Sequence, residues 1–259
     1  MSLAHFHHFT AHLLHFAIVL LRMLNCLFLH KNVVGYASSA LKAGGTMVTA
    51  QFLTVGDEMI SLNDIKPLGD GVVDTVEIQT LTSAGYTDKS YVWIDYAGEN
   101  WDETGWIDNN AEMGDYYELV KDVKFPVGAG LWIFGAAELS IQSAGQVNTS
   151  DVVVNLRPGA TATGNPFPID LNLADILPLG DGVVDTVEIQ TLTSAGYTDK
   201  SYVWIDYAEE NWDETGWIDN NAEMGDYYEL VKDVTIPAGS GLWIFGADGL
   251  SIRFPAPEL

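Results

Sequence analysis

The chain is short of the groups on which soft-metal, redox and nucleophilic chemistry depend. Its only cysteine is Cys26, so no disulfide can form within it. All six histidines lie between His5 and His30. Beyond His30, His-dependent triads, His-ligated zinc and thiol chemistry are therefore excluded. Neither a glycine-rich phosphate loop nor a nucleophile elbow occurs. Positive charge is scarce too, with 11 Lys and Arg against 36 Asp and Glu and a formal net charge of −25. That balance repels nucleic-acid phosphates and anionic membrane faces, and favours cations or the cationic groups of a partner. Charge of this size can signal disorder, but 47% hydrophobic residues and eight tryptophans specify a buried core.

What is present is dominated by a repeat. The block Pro67–Val123 returns as Pro178–Val234, and Gly98/Glu209 is the single difference. The first copy carries thirteen acidic residues against Lys89 and Lys121, a net of −11, and Glu209 takes the second to −12. The flanks align more loosely, as LKAGGTMVTAQF with LRPGATATGNPF and as SLNDI with NLADI. We divide the chain into a leader over 1–32 and two modules over 33–143 and 144–259.

The leader contains a 17-residue apolar run, Leu13–Leu29, interrupted by Arg22 and Asn25. A spanning helix needs about 20 apolar residues. The run reads instead as an apolar N-terminal helix of signal-peptide type, with YASSA placing a cleavage near Ala40. The mature part is expected to be secreted or on the cell surface, without stable membrane insertion. The alternative is a misassigned leader.

Strand signals fill each module. Thr75–Leu81 alternates polar and apolar residues, as a half-buried strand does. Tyr91–Tyr96 is rich in aromatic and β-branched residues. Leu131–Gly135 is a short apolar run after Gly128-Ala129-Gly130, followed by a turn into Leu139–Gln142. In the second copy that turn is Ala247-Asp248-Gly249, a stronger hairpin cue. Only Glu112–Val120 offers a helical pattern, and Gly114 weakens it. The expected fold is all-β: two tandem antiparallel sandwich- or barrel-like modules, with the link Gly145–Leu156 leaving open a shared sheet.

The stretch VVGYASSALKAGGTMV, the GxGLWIF strand and the ending IRFPAPEL resemble secreted β-rich repeat proteins of Gram-negative bacteria. The resemblance covers about 33–259 and implies export and a β fold. It implies no activity.

Three candidate chemistries remain. Asp70, Asp74 and Glu77, with Asp181, Asp185 and Glu188, match the second half of an EF-hand loop. The first half fails, because Lys66 and Leu68 (Leu177 and Leu179 in the second copy) occupy ligand places. A calcium site of other geometry is one reading of 95–118 and its twin 206–229, where eight carboxylates in the first copy meet no Lys or Arg; a solvated acidic loop screened by salt is the other. The candidate calcium ligands are Asp95, Glu99, Asp102, Glu103 and Asp108, with Asp206, Asp213, Glu214 and Asp219. Sugar stacking is a further reading of this segment, through Trp101, Trp106, Trp212 and Trp217, which lie in polar text; packing of these rings onto the core is the alternative. Trp93 and Trp132 read as core. An acid pair such as Asp102/Glu103 suggests a glycoside hydrolase, but that assignment needs a measured carboxylate separation. The expectation is a non-enzymatic structural, adhesive or ligand-binding module, with Ca²⁺ the one cofactor considered. Its partner would be an extracellular glycan or protein, or another copy of itself.

Overall fold

Burial alternates along some strands, as over Val34–Ala40, and runs unbroken along others, as over Gly105–Ile107, in the computed structural model, which describes residues 33–81, 87–95, 103–111, 118–193, 198–206, 214–222 and 229–258. The leader helix over 1–32 lies outside these residues. Among them there are strands and two 3₁₀ turns and no α-helix. The first copy contributes β1 (Val34–Ala40), β2 (Gly44–Thr49), β3 (Phe52–Leu53), β4 (Met59–Ser61), β5 (Ile65–Leu68) and β6 (Glu77–Leu81). It continues with β7 (Thr87–Asp95), β8 (Thr104–Asp108), β9 (Lys124–Pro126), β10 (Gly130–Gly135) and β11 (Ser140–Val147).

The second copy repeats the plan with β12 (Val152–Asn155), β13 (Gly159–Gly164), β14 (Leu171–Asn172), β15 (Leu177–Leu179) and β16 (Glu188–Leu192). Then follow β17 (Thr198–Asp206), β18 (Thr215–Asp219), β19 (Thr235–Ile236), β20 (Gly241–Gly246) and β21 (Ser251–Phe254).

Each copy builds one five-stranded antiparallel sheet, β2-β10-β6-β7-β8 or β13-β20-β16-β17-β18. A smaller sheet accompanies it, with β11 between β1 and β3/β5 in the first copy and β21 between β12 and β15 in the second. No sheet closes into a barrel. Registers repeat with the sequence: Trp93 faces Trp106 across β7/β8, and Trp204 faces Trp217 across β17/β18. Buried residues from both sheets form one core per copy, such as Ile78, Tyr91, Trp106 and Ile133 with Ile65 and Ile141 in the first. The SLNDI and NLADI segments form the 3₁₀ turns Leu62–Asp64 and Leu173–Asp175. Ser61 and Asn172 cap them by accepting the Asn63 and Ala174 amides.

Strand pairing bears on three expectations. The copies do not share a sheet among the described residues; one isolated bridge, Val48 to Ser240, joins them. β11 runs from Ser140 to Val147, across the expected 143/144 boundary, and β12 begins at Val152. A cut near Ala40 would remove β1, whose seven residues pair with β11.

The copies pack against each other, and both belong to one unit, Val34–Leu259. Gly128 matches Gly239, and Gly130 matches Gly241, each pair 111 residues apart. The Thr163 hydroxyl donates to the Gly128 carbonyl at 2.6 Å, and the Thr49 amide donates to the Gly239 carbonyl at 3.0 Å. A Cβ on Gly130 would lie 2.7 Å from the Ala162 carbonyl carbon, so only glycine permits this approach. The buried Gln51 side chain donates to the Phe167 carbonyl at 2.6 Å, and Val127 packs against both cores.

Candidate functional site

The acidic aromatic segment is not one loop. Strand β8 runs through it, because Thr104–Asp108 pairs with β7 from Asp95 back to Tyr91. Asp95 faces Thr104 and Asp108 faces Tyr91, so the two acids sit four residues apart along the ladder. At about 3.3 Å per residue that is ~13 Å, far beyond a shared coordination sphere. Asp206 and Asp219 are separated in the same way. Asp95 and Asp108 therefore stand at opposite ends of the β7/β8 ladder, and this corrects the reading that put both in one site.

The carboxylates that the structure describes are engaged locally. Thr104 Oγ1 donates to Asp95 Oδ1 at 2.7 Å, and Thr215 Oγ1 to Asp206 Oδ1 at 2.8 Å. The Asn110 amide donates to Asp108 Oδ1 at 2.8 Å, closing a side-chain turn. Asp219 accepts the Asn221 amide at 2.9 Å and lies 3.8 Å from Lys200 Nζ. Glu103 and Glu214 are exposed just before β8 and β18. Glu99, Trp101, Asp102, Trp212 and Asp213 lie outside the described residues. Among the described residues no three His, Cys, Asp or Glu side chains gather as a metal site.

Trp106 and Trp217 are core residues, not surface platforms. They are 0% and 1% exposed. Each indole N–H donates to a backbone carbonyl, Ile65 O at 2.8 Å and Ile176 O at 2.7 Å. Each ring meets its cross-strand partner edge-on, Trp93 or Trp204, with centroids 5.2 Å apart. The polar neighbours that suggested a surface position, Thr104 and Asp108, stand at the two ends of β8. Packing of β8 into the core, not the composition of the window, decides that the ring is buried.

The EF-hand-like acids also find other work. Glu77 Oε1 accepts from Gln79 Nε2 at 2.7 Å and from Ser90 Oγ at 2.5 Å. Thr87 Oγ1 donates to Gln79 Oε1 at 2.6 Å, and Asn109 Nδ2 to Ser90 Oγ at 3.2 Å. Glu188, Gln190, Ser201, Thr198 and Asn220 repeat this chain in the second copy. Sequence reasoning missed it, although polar residues at every second place of Glu77-Ile78-Gln79 hint at it. The chain ties three strands together on one face of each large sheet.

Two tyrosines border the same ladder. Burial, then the Asp108 and Asp88 carboxylates, push the Tyr91 hydroxyl above its usual pKa. Tyr202 shifts upward for the same reasons, with Asp219 and Asp199 as neighbours. At the opposite edge of the first copy, the ammonium of Lys124 bonds the Asp57 carboxylate and lowers its pKa. Thr235 stands at the matched place in the second copy, which lacks this pair.

Comparison of the chain with models of known protein families, with curated proteins and with solved structures found no match.

Proposed function

We propose that this chain is an exported, acidic, non-catalytic module whose body of two β-sandwiches presents the same acid-rich segments twice. The observation that supports this reading is the junction between the copies. Buried hydrogen bonds and a backbone approach that only glycine allows hold two near-identical blocks in one unit. Such a body suits a structural or adhesive part better than a hinged enzyme cleft, and it supplies bivalency for any weak ligand.

A cation, if used, belongs at the Asp95 end. Asp95 and Glu103 flank the pairing of Asp95 with Thr104, and Glu99 and Asp102 lie between them in sequence. Asp206, Asp213 and Glu214 are the second set. The melting temperature in millimolar Ca²⁺ is expected to exceed that in chelator, and Asp95→Asn with Asp206→Asn should abolish the difference. Equal melting temperatures for the unchanged chain remove calcium from the proposal. Sugar binding would fall to Trp101 and Trp212. A glycan array without a hit, or with hits indifferent to Trp101→Ala and Trp212→Ala, removes it.

Self-association would use β1, which pairs on one side only among the described strands. It leaves Val34 68% and Tyr36 61% exposed. A monomer at every concentration in size-exclusion chromatography would argue against this.

A further inference from the structure

The junction between the copies is not filled symmetrically. On one side the Met47 side chain lies over Gly241, whose added Cβ would fall 2.3 Å from Met47 Cγ. On the other side Ala162 stands at the place matching Met47 and lies beside Gly130. There the smaller residue leaves a cleft of about 420 Å³ between the two modules. Its volume falls in the range of small-molecule sites, roughly 300–1,000 Å³.

The chemistry of the walls departs from that of the rest of the chain. Pro126, Val127, Val154 and Ala162 supply apolar surface. Acids make up 36 of the 259 residues, about one in seven, so sixteen lining residues would hold about two at that density. They hold none, and one of them is Arg157. No carboxylate among the described residues pairs with its guanidinium. Beside it, Thr161 Oγ1 accepts the Arg157 amide at 3.2 Å, which leaves the hydroxyl proton free to donate.

From this we infer that the cleft between the modules binds a small monocarboxylate with an apolar body, such as a medium-chain fatty acid. The tail lies along the apolar walls and is drawn there by the area it removes from water. The carboxylate is held by the Arg157 fork, whose planar donors suit that group. The site is independent of the acid-rich segments and stands or falls without them.

The test is calorimetric titration of the full chain with sodium octanoate and, in parallel, with 1-octanol. Octanoate is expected to bind at least tenfold more tightly than the alcohol, since hydrogen bonds to a charged group separate them. Arg157→Gln changes an exposed side chain and should bring octanoate down to the level of the alcohol while leaving the melting temperature unchanged. Ala162→Met places in the cleft the residue that fills the matched position, and should remove both ligands. Absence of octanoate binding at 5 mM overturns the inference. Octanoate binding that Arg157→Gln leaves unchanged overturns it as well. Equal affinity of the acid and the alcohol for the unaltered chain does the same, whatever Ala162→Met does to folding.

Discussion

Replacing Trp106 by Phe separates a core pin from a sugar platform, because the two roles predict opposite stability effects. The change removes the donor to the Ile65 carbonyl, a group in a residue only 4% exposed. A buried acceptor that loses its partner costs about 1–3 kcal/mol. The smaller ring also leaves space beside Trp93 that the fully buried site fills poorly, adding about 0.8 kcal/mol per lost methylene equivalent. Together the loss should be about 2–4 kcal/mol, or roughly 5–10 °C in melting temperature for a chain of this size. Urea unfolding monitored by circular dichroism measures it. Trp217→Phe should cost the same within about 0.5 kcal/mol, since the identical block surrounds it and its indole bonds Ile176 O. The double variant should lose the sum, because the rings sit in different cores. A loss below about 0.5 kcal/mol for either single change is the signature of a surface residue, and it would refute the burial argument.

Other perturbations test the junction, a turn and the phenols. Thr163→Val keeps the shape of a fully buried side chain but strips the hydroxyl that bonds Gly128 O; a loss of about 1–3 kcal/mol in denaturant unfolding is expected. Glu138 has φ 79° and Gly249 has φ 84° at the matched turn position. Glu138→Gly should therefore raise stability by about 0.5–1 kcal/mol, the relief of left-handed strain exceeding the entropy that glycine adds to the unfolded chain. An unchanged or lower melting temperature would count against it. The Tyr91 and Tyr202 pKa values lie above the unfolded 10.0, so above pH 10 the folded chain holds more protons than the unfolded one. The stabilisation is complete below pH 10 and is lost as pH rises through the folded values. Phe at both positions should flatten the alkaline limb of a stability–pH curve, and an equal slope would contradict the assignment.

Strand content was legible because alternation is local. The pattern at Thr75–Leu81 anticipated β6, and the apolar run after Gly130 anticipated β10. The Asp248-Gly249 cue matches the turn between β20 and β21, where Gly249 takes a positive φ. The acid-rich segment was misread as one loop because its polar density hid Thr104–Asp108, a five-residue strand. Composition averages over a window, whereas pairing with β7 acts residue by residue. The junction was illegible for a different reason: Thr49, Gln51 and Thr163 lie in the flanks where the two copies diverge, and their partners are 35 to 191 residues away.

By itself, then, the sequence determined an acidic all-β chain, the duplication of its strands, and the exclusion of His and Cys chemistry beyond residue 30. These are properties of composition and short-range period. Tertiary structure alone decided that Trp106 and Trp217 pin the cores, that Asp95 and Asp108 stand at opposite ends of a ladder, and that Ala162 leaves open what Met47 closes. Each of these depends on which distant backbone a residue meets, and only the folded chain sets that.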